Sequence, residues 1–387
     1  MRTSKKRPVL IVCSFLCLIL MGVVVAIAFT YKPPKHQHVL GEDRVYHITT
    51  NTIHYTRTCQ DGCQVPFKTR ATFTDVLMSL TPNDKVVLDE DVYLKETVFI
   101  KTFSGAGEDV QTLDIDIDLD LNNHTLTANN LSSEHNSIFM FNSNLGSVNL
   151  NVKNGKIVAN GLSHIFRFKN TRDSGENIIL NIDNVECVSN AIKSAPLYVH
   201  EVYNAEINAV DSKFISTNTS NNDCDYGVGV FVNNNNLCDF NNCYFEGGDA
   251  VHVKSGTVNL TDCHLVNSGL VSNPGQSVKD FSAVGACLTV NSHTTSGGTT
   301  EFNITIKRCF MEALNSVKMI YEVQTAEESK AVSQNENSIV DVQSCTFNQD
   351  PTAIVNSNLI KYPNNQAPQN NGTQIWSCGE AVETVAE

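Results

Sequence analysis

Apolar and polar residues alternate in short runs along most of this chain, and one six-residue phrase keeps returning among them. It reads apolar, two polar, small or apolar, any residue, apolar. It stands as LNNHTL at 121–126, VKNGKI at 152–157, IDNVEC at 182–187, AVDSKF at 209–214, FNNCYF at 240–245, LTDCHL at 260–265, IKRCFM at 306–311 and VQSCTF at 342–347. The fourth slot holds His124, Gly155, Val185, Ser212, Cys243, Cys263, Cys309 and Cys345, at successive spacings of 31, 30, 27, 31, 20, 46 and 36 residues. Alternation at period two is the signature of strands with one face turned inward. A constant phrase at a variable period predicts a solenoid, in which each coil supplies strands at fixed places and loops of differing length bulge between coils. A parallel β-helix meets that description. Like residues of successive coils then stack into interior ladders, with cysteine as a small apolar filler. Asn at the corners fits a backbone that turns through left-handed conformations.

The start of this pattern has its own form. FTDVLMSL (73–80) reads as a short amphipathic helix, Asn83-Asp84 as a turn, and KVVLDEDVYL and ETVFIK as the first strands. With the LDLNNHTL phrase that follows, this order resembles the pectin-lyase-like superfamily, whose helix caps the first coil of a right-handed parallel β-helix. The resemblance covers roughly residues 70–360. It implies an all-β solenoid with an N-terminal helical cap and leaves function open, because that scaffold carries lyases, hydrolases, esterases, adhesins and viral spikes.

Outside the solenoid the N-terminus carries the clearest signal. Val9 to Phe29 contains no charged residue and is long enough to cross a bilayer as one helix. Arg2, Lys5, Lys6 and Arg7 precede it, so the positive-inside rule leaves the short N-terminus in the cytoplasm and the rest beyond the membrane, a type II arrangement. A cleaved signal peptide is the rival, since Ala26-Ile27-Ala28 has the small-x-small form. The expected organisation is a basic segment at 1–8, a transmembrane signal-anchor at 9–30, a stalk or N-terminal elaboration at 31–69, the β-helix at 70–361 and a polar, acidic tail at 362–387 that can tack Trp376 and Cys378 onto the last coil. Cell surface, endomembrane lumen and virion envelope all fit such a chain. Six N-x-S/T sequons follow the anchor, at Asn123, Asn130, Asn218, Asn259, Asn303 and Asn371. Of the thirteen cysteines, Cys13 and Cys17 lie in the anchor, and Cys59 and Cys63 are spaced to close a small disulfide loop. As a metal half-site that pair lacks a partner pair, so no metal site is expected.

Charge narrows the partners. The chain carries −14, and removing the four N-terminal cations leaves −18 on the remainder. That excludes nucleic acid as an expected partner and disfavours polyanionic glycans unless a cation or a local basic strip intervenes.

The most enzyme-like stretch is GDAVHVKSG (248–256), which is similar to a coil of polygalacturonase-type hydrolases. Those enzymes need two or more carboxylates about the scissile bond. Asp249 matches the second of the family's paired aspartates, but Gly248 stands at the first, Tyr226 replaces the acid before Gly227, and SAVGACLTV (282–290) lacks the histidine. Asp249 and His252 are the weak catalytic candidates, and alternation puts their side chains on different faces unless Asp249 lies in a corner. Lyase chemistry would bring calcium, yet Asp114, Asp116, Asp118 and Asp120 alternate along one strand face, too far apart for chelation without an adjacent coil. No other cofactor is expected.

The outer face of matching strands offers a ligand-binding strip: Arg167 and Lys169, Tyr198 and His200, Phe231, then His252 and Lys254. Cationic and aromatic side chains there suit a saccharide; a chance assortment on an outer face is the plainer account. The leading expectation is a non-catalytic, membrane-anchored display protein for adhesion, glycan binding or a structural coat, with a glycan or a host or cell-surface protein as partner and a homo-oligomer as a natural assembly. The alternative is a polysaccharide-active hydrolase or lyase with a non-standard site.

Overall fold

The computed structural model describes residues 39–100, 103–104, 111–112, 114–129, 131, 136–141, 146–171, 178–191, 194–202, 205–217, 227–269, 285–290, 301–314, 318–322, 337–351, 359–372 and 375–379. The chain divides into two units, residues 1–42 with 58–65, and residues 43–57 with 66–387. In the first unit the Gln60 amide donates to the Val39 carbonyl at 3.0 Å, and a disulfide joins Cys59 to Cys63. The segments 1–8 and 9–30 lie outside the described residues. Among the described residues no helix is long and apolar enough to cross a membrane.

The second unit is all-β and solenoid-like, with most of its strands in three parallel stacks. In the first stack residues 45–48 pair with Lys85–Leu88, which pairs with Ile115–Asp120. The stack continues through 148–153, 178–183, Ala205–Val210, 238–241, 256–261, Phe302–Lys307, Ile339–Gln343 and Ile360–Lys361. The second runs from Val92–Leu94 through Thr125–Asn129, 155–160, 185–189, Lys213–Ser216, Tyr244–Gly247, His264–Asn267 and Phe310–Ala313 to Thr346–Phe347. The third runs from Val98–Ile100 through Ser137–Phe141, His164–Thr171, Leu197–Val202, 228–233, 249–253 and Ala286–Val290 to Lys318–Glu322. From Lys85 to Glu322 the chain visits them in that order, one strand of each per coil.

The recurring phrase is the corner between the first and second stacks. Its third slot holds the residue with left-handed backbone: Asn123, Asn154, Asn184, Asp211, Asn242, Asp262, Arg308 and Ser344 all have φ between 51° and 63°. Asn and Asp tolerate that region better than other side chains, which explains their recurrence. The corner side chains also bond from coil to coil, Asn154 Nδ2 to Asp120 Oδ1 at 3.2 Å and Arg308 Nε to Asp262 Oδ1 at 2.7 Å. The fourth slot then points inward. Val185, Ser212, Cys243, Cys263, Cys309 and Cys345 are buried, whereas His124 and Gly155 in the early coils are only partly so.

Inward positions stack like on like. Phe139 lies over Phe166 and Phe141 over Phe168, with ring centroids 5.4 and 4.3 Å apart. The cap helix Phe73–Met78 opens with a capping box between Thr72 and Asp75 and buries Phe73, Val76 and Leu77. Each such burial contributes about 2 kcal/mol. Two features lie outside the span expected for the solenoid. Residues 45–48, in the segment expected to be stalk, form a strand of the first stack. Within the expected tail, Trp376–Ser377 pairs antiparallel with Thr346–Phe347 and Cys378 is buried, so part of 362–387 closes the second stack.

Candidate functional site

Asp249 begins a strand immediately after the corner between the second and third stacks. Coils approach closely there: the Gly248 amide donates to the Gly227 carbonyl and the Val228 amide to the Ser194 carbonyl, both at 2.7 Å. A Cβ added at Gly227 would overlap the Ser216 and Ser194 hydroxyls. In this corner Asp249 has no exposed surface, and its Oδ1 accepts from the Gly285 and Ala286 amides at 2.9 and 3.0 Å. Its Oδ2 lies 3.3 Å from Nδ1 of His252, also fully buried. This is the corner case in which alternation does not separate the two side chains, because a strand's first residue does not yet follow the alternation of its interior. An Asp–His pair can orient an imidazole as a base. Both groups are sealed from solvent, and through Oδ1 the carboxylate fixes the start of Ala286–Val290.

The expected strip is aligned but not open. Arg167, Tyr198, Phe231, His252 and Thr289 follow one another in register up the third stack. His164 stacks on Tyr198 at 4.4 Å, Tyr198 on Phe231 at 5.1 Å, and the His252 ring leans on Phe231 at 5.2 Å. Tyr198, Arg167 and His200 are half-buried, whereas Phe231, His252 and Lys254 are buried. As cleft residues Phe231, His252 and Lys254 are corrected: alternation told their face and not whether that face is covered. Lys169 pairs with His200 and His200 with Asn233, but a register shift then brings Ser255 rather than Lys254 opposite Asn233, with Ser255 Oγ donating to Asn233 Oδ1 at 2.7 Å.

The acidic run also has partners on the next coil. Asp114 accepts from the Ser147 hydroxyl at 2.6 Å, Asp116 from Asn149 Nδ2 at 3.0 Å, and Asp118 pairs with Lys153 Nζ at 2.9 Å. The Ser147 hydroxyl and amide hold the Asp114 carboxyl below the usual carboxylate range. These acids stitch coils together. Of the sequons, Asn123, Asn303 and Asn371 are exposed, Asn259 is half-buried, and Asn130 and Asn218 lie outside the described residues.

A pocket of about 700 Å³ opens on the first coils, a place the sequence did not point to. Residues 48–54, 68–73 and 92–96 line it. Lys68, Arg70 and Lys95 are exposed there beside Tyr93, whose surface is 54% exposed, and hydroxyls come from Thr49, Thr50, Thr52, Thr69 and Thr72. Among the described residues Glu96 is the one acid of the lining. Only the three-dimensional return of the chain assembles this set, so no sequence signal marks it. No protein-family model matches the chain, nor does any curated protein or solved structure.

Proposed function

We propose that this chain is a non-catalytic display protein built on a right-handed, pectin-lyase-like parallel β-helix, held to a membrane through residues 9–30, and that it binds an acidic glycan at the pocket of the first coils. The observation that carries the reading is the lining of that pocket: three exposed cations, Lys68, Arg70 and Lys95, around an exposed Tyr93 and a set of threonine hydroxyls. Cations meet carboxylates or sulfates, hydroxyls exchange hydrogen bonds with sugar hydroxyls, and the tyrosine face offers a platform for a ring. The cations give the lining a local positive balance within a chain of net charge −14. Right-handedness rests on the near-universal hand of parallel crossovers, and the superfamily on the cap helix and coil order. The uncharged run behind four basic residues supports the anchor.

The test is binding of sulfated and uronic-acid oligosaccharides to the full-length protein and to a Lys68→Ala/Arg70→Ala/Lys95→Ala variant. A loss of about tenfold or more is expected for the triple variant, with a smaller loss for Tyr93→Ala. Arg167→Ala, on the third stack, should leave affinity unchanged. Equal binding by wild type and triple variant would remove the pocket from consideration, and newly formed reducing or unsaturated ends would make the protein an enzyme.

A further inference from the structure

We propose that His47, His54 and Asp89 form a binding site for one divalent cation of the zinc class. Their donor atoms, one from each residue, all lie within 4.8 Å of one another. The backbone brings them together. Tyr46 and Ile48 are buried, so His47 between them turns outward. Pairing of His47 with Val87 and Ile48 with Leu88 continues into a bond from the Asp89 amide to the Ile48 carbonyl at 3.0 Å, which delivers Asp89 beside His47. The turn 49–52 is closed by the Thr49 amide and hydroxyl, both donating to the Thr52 carbonyl at 3.0 and 2.9 Å. It returns the chain so that the His54 ring stacks on the His47 ring, centroids 4.9 Å apart and planes 11° from parallel.

Three features mark a cation site rather than an ordinary surface contact. Two imidazoles and one carboxylate are the donor set of open, three-ligand zinc sites, in which a fourth position is left to water or ligand. Imidazole nitrogen favours zinc, cobalt, nickel and copper over calcium and magnesium, which take oxygen donors. The cluster is reachable: His47 and His54 are half-buried, Asp89 is exposed, and His54 is also in the lining of the first-coil pocket. The bland account is a hydrogen bond between His47 Nδ1 and Asp89 Oδ1, 3.0 Å long, with His47 Nε2 3.4 Å from Thr56 Oγ1 and an imidazole stacked on the ring. It explains two of the residues and gives the His54 ring no polar role, since that ring makes no hydrogen bond among the described residues. A bound ion at about 2.0–2.1 Å from each donor employs all three once one imidazole turns out of the stack, so that both ring lone pairs meet the ion. The inference is independent of the glycan reading, because its test contains no glycan.

The test uses the full-length protein, stripped with a chelator and titrated with Zn²⁺ by calorimetry and with Co²⁺ by visible absorption. One ion per chain is expected, with the d–d bands of a low-symmetry N/O site. His54→Ala and Asp89→Asn should each weaken Zn²⁺ at least about tenfold and bleach the Co²⁺ bands. His54→Ala is the decisive variant if His47→Ala proves unstable, since it removes a ligand and no observed hydrogen bond. An unchanged unfolding midpoint for metal-free His54→Ala shows that its fold is intact. Zn²⁺ binding undiminished in His54→Ala, no saturable binding in the wild type, or intense near-ultraviolet thiolate bands placing Co²⁺ on cysteine would each overturn the proposal.

Discussion

His164 shows how strongly a single position in this scaffold can constrain its side chain. It is buried in the third stack, with a ring nitrogen 3.0 Å from the Ala195 carbonyl and its face on Tyr198. Burial pushes its pKa down to about 3 against the pull of that carbonyl, and Arg167 and His200 add repulsion. The folded imidazole thus stays neutral while the unfolded one takes up a proton near its ordinary value of about 6.5. Above that pH the residue has no net effect on stability. As pH falls from about 6.5 toward about 3, the unfolded state gains a proton that the fold refuses, and stability drops by up to about 1.4 kcal/mol per pH unit. Urea unfolding at several pH values between 7 and 4 should show this fall in the wild type. His164→Phe keeps the stacking surface, so it should be less stable at pH 7 by about 1–2 kcal/mol for the orphaned carbonyl and show a shallower acid slope. A parallel slope in the variant would assign the acid loss elsewhere.

At the scale of the element, the corner between the first and second stacks is the best-determined piece. Its third slot demands φ near +55°, which Asn and Asp accept and Ser344 and Arg308 occupy at a cost. Arg308 recovers part of it through its paired bonds to Asp262 at 2.7 and 2.6 Å. Ser344 is the weaker choice, so Ser344→Asn should stabilise the protein by about 0.5–1 kcal/mol, read as a higher urea midpoint at unchanged slope; a lower midpoint would mean that the neighbouring coil rejects the larger side chain. This corner was legible in the sequence because its requirement is local: one left-handed residue, then one inward side chain. The cap helix was legible for the same reason. The strand at 45–48 was not, since its partner Lys85–Leu88 lies some 40 residues away and nothing near it signals pairing. The Asp249–His252 contact was legible only as an exception, because alternation fails at a strand's first residue. The pocket was hidden because its three lining segments are separate in sequence. Burial of Phe231, His252 and Lys254 was beyond reach too, since periodicity assigns a side chain to a face and is silent about what lies over it.

For the molecule as a whole, the thiols record how the coils hold together. Cys243, Cys263, Cys309, Cys345 and Cys378 occupy one interior column over successive coils. The Cys263 amide donates to Cys309 Sγ at 3.3 Å and the Cys345 amide to Cys378 Sγ at 3.2 Å. Hydrogen bonding to the preceding sulfur, with burial, pushes Cys263, Cys309 and Cys345 up to about 12, so they remain protonated and poor nucleophiles. Such thiols stay shielded only while the coils stay shut. Each coil rests on its neighbours alone, so opening should start at an end and spread inward. Cys378 stands at the C-terminal end of the column and is its most exposed member, at 9%. Pulsed labelling with a thiol reagent in mild urea, read by peptide mass spectrometry, should therefore modify Cys378 first, then Cys345, Cys309 and Cys263, with Cys243 last. Simultaneous labelling of all five would show instead that the solenoid opens as one cooperative body, and early labelling of Cys263 would place its weakest seam in the middle.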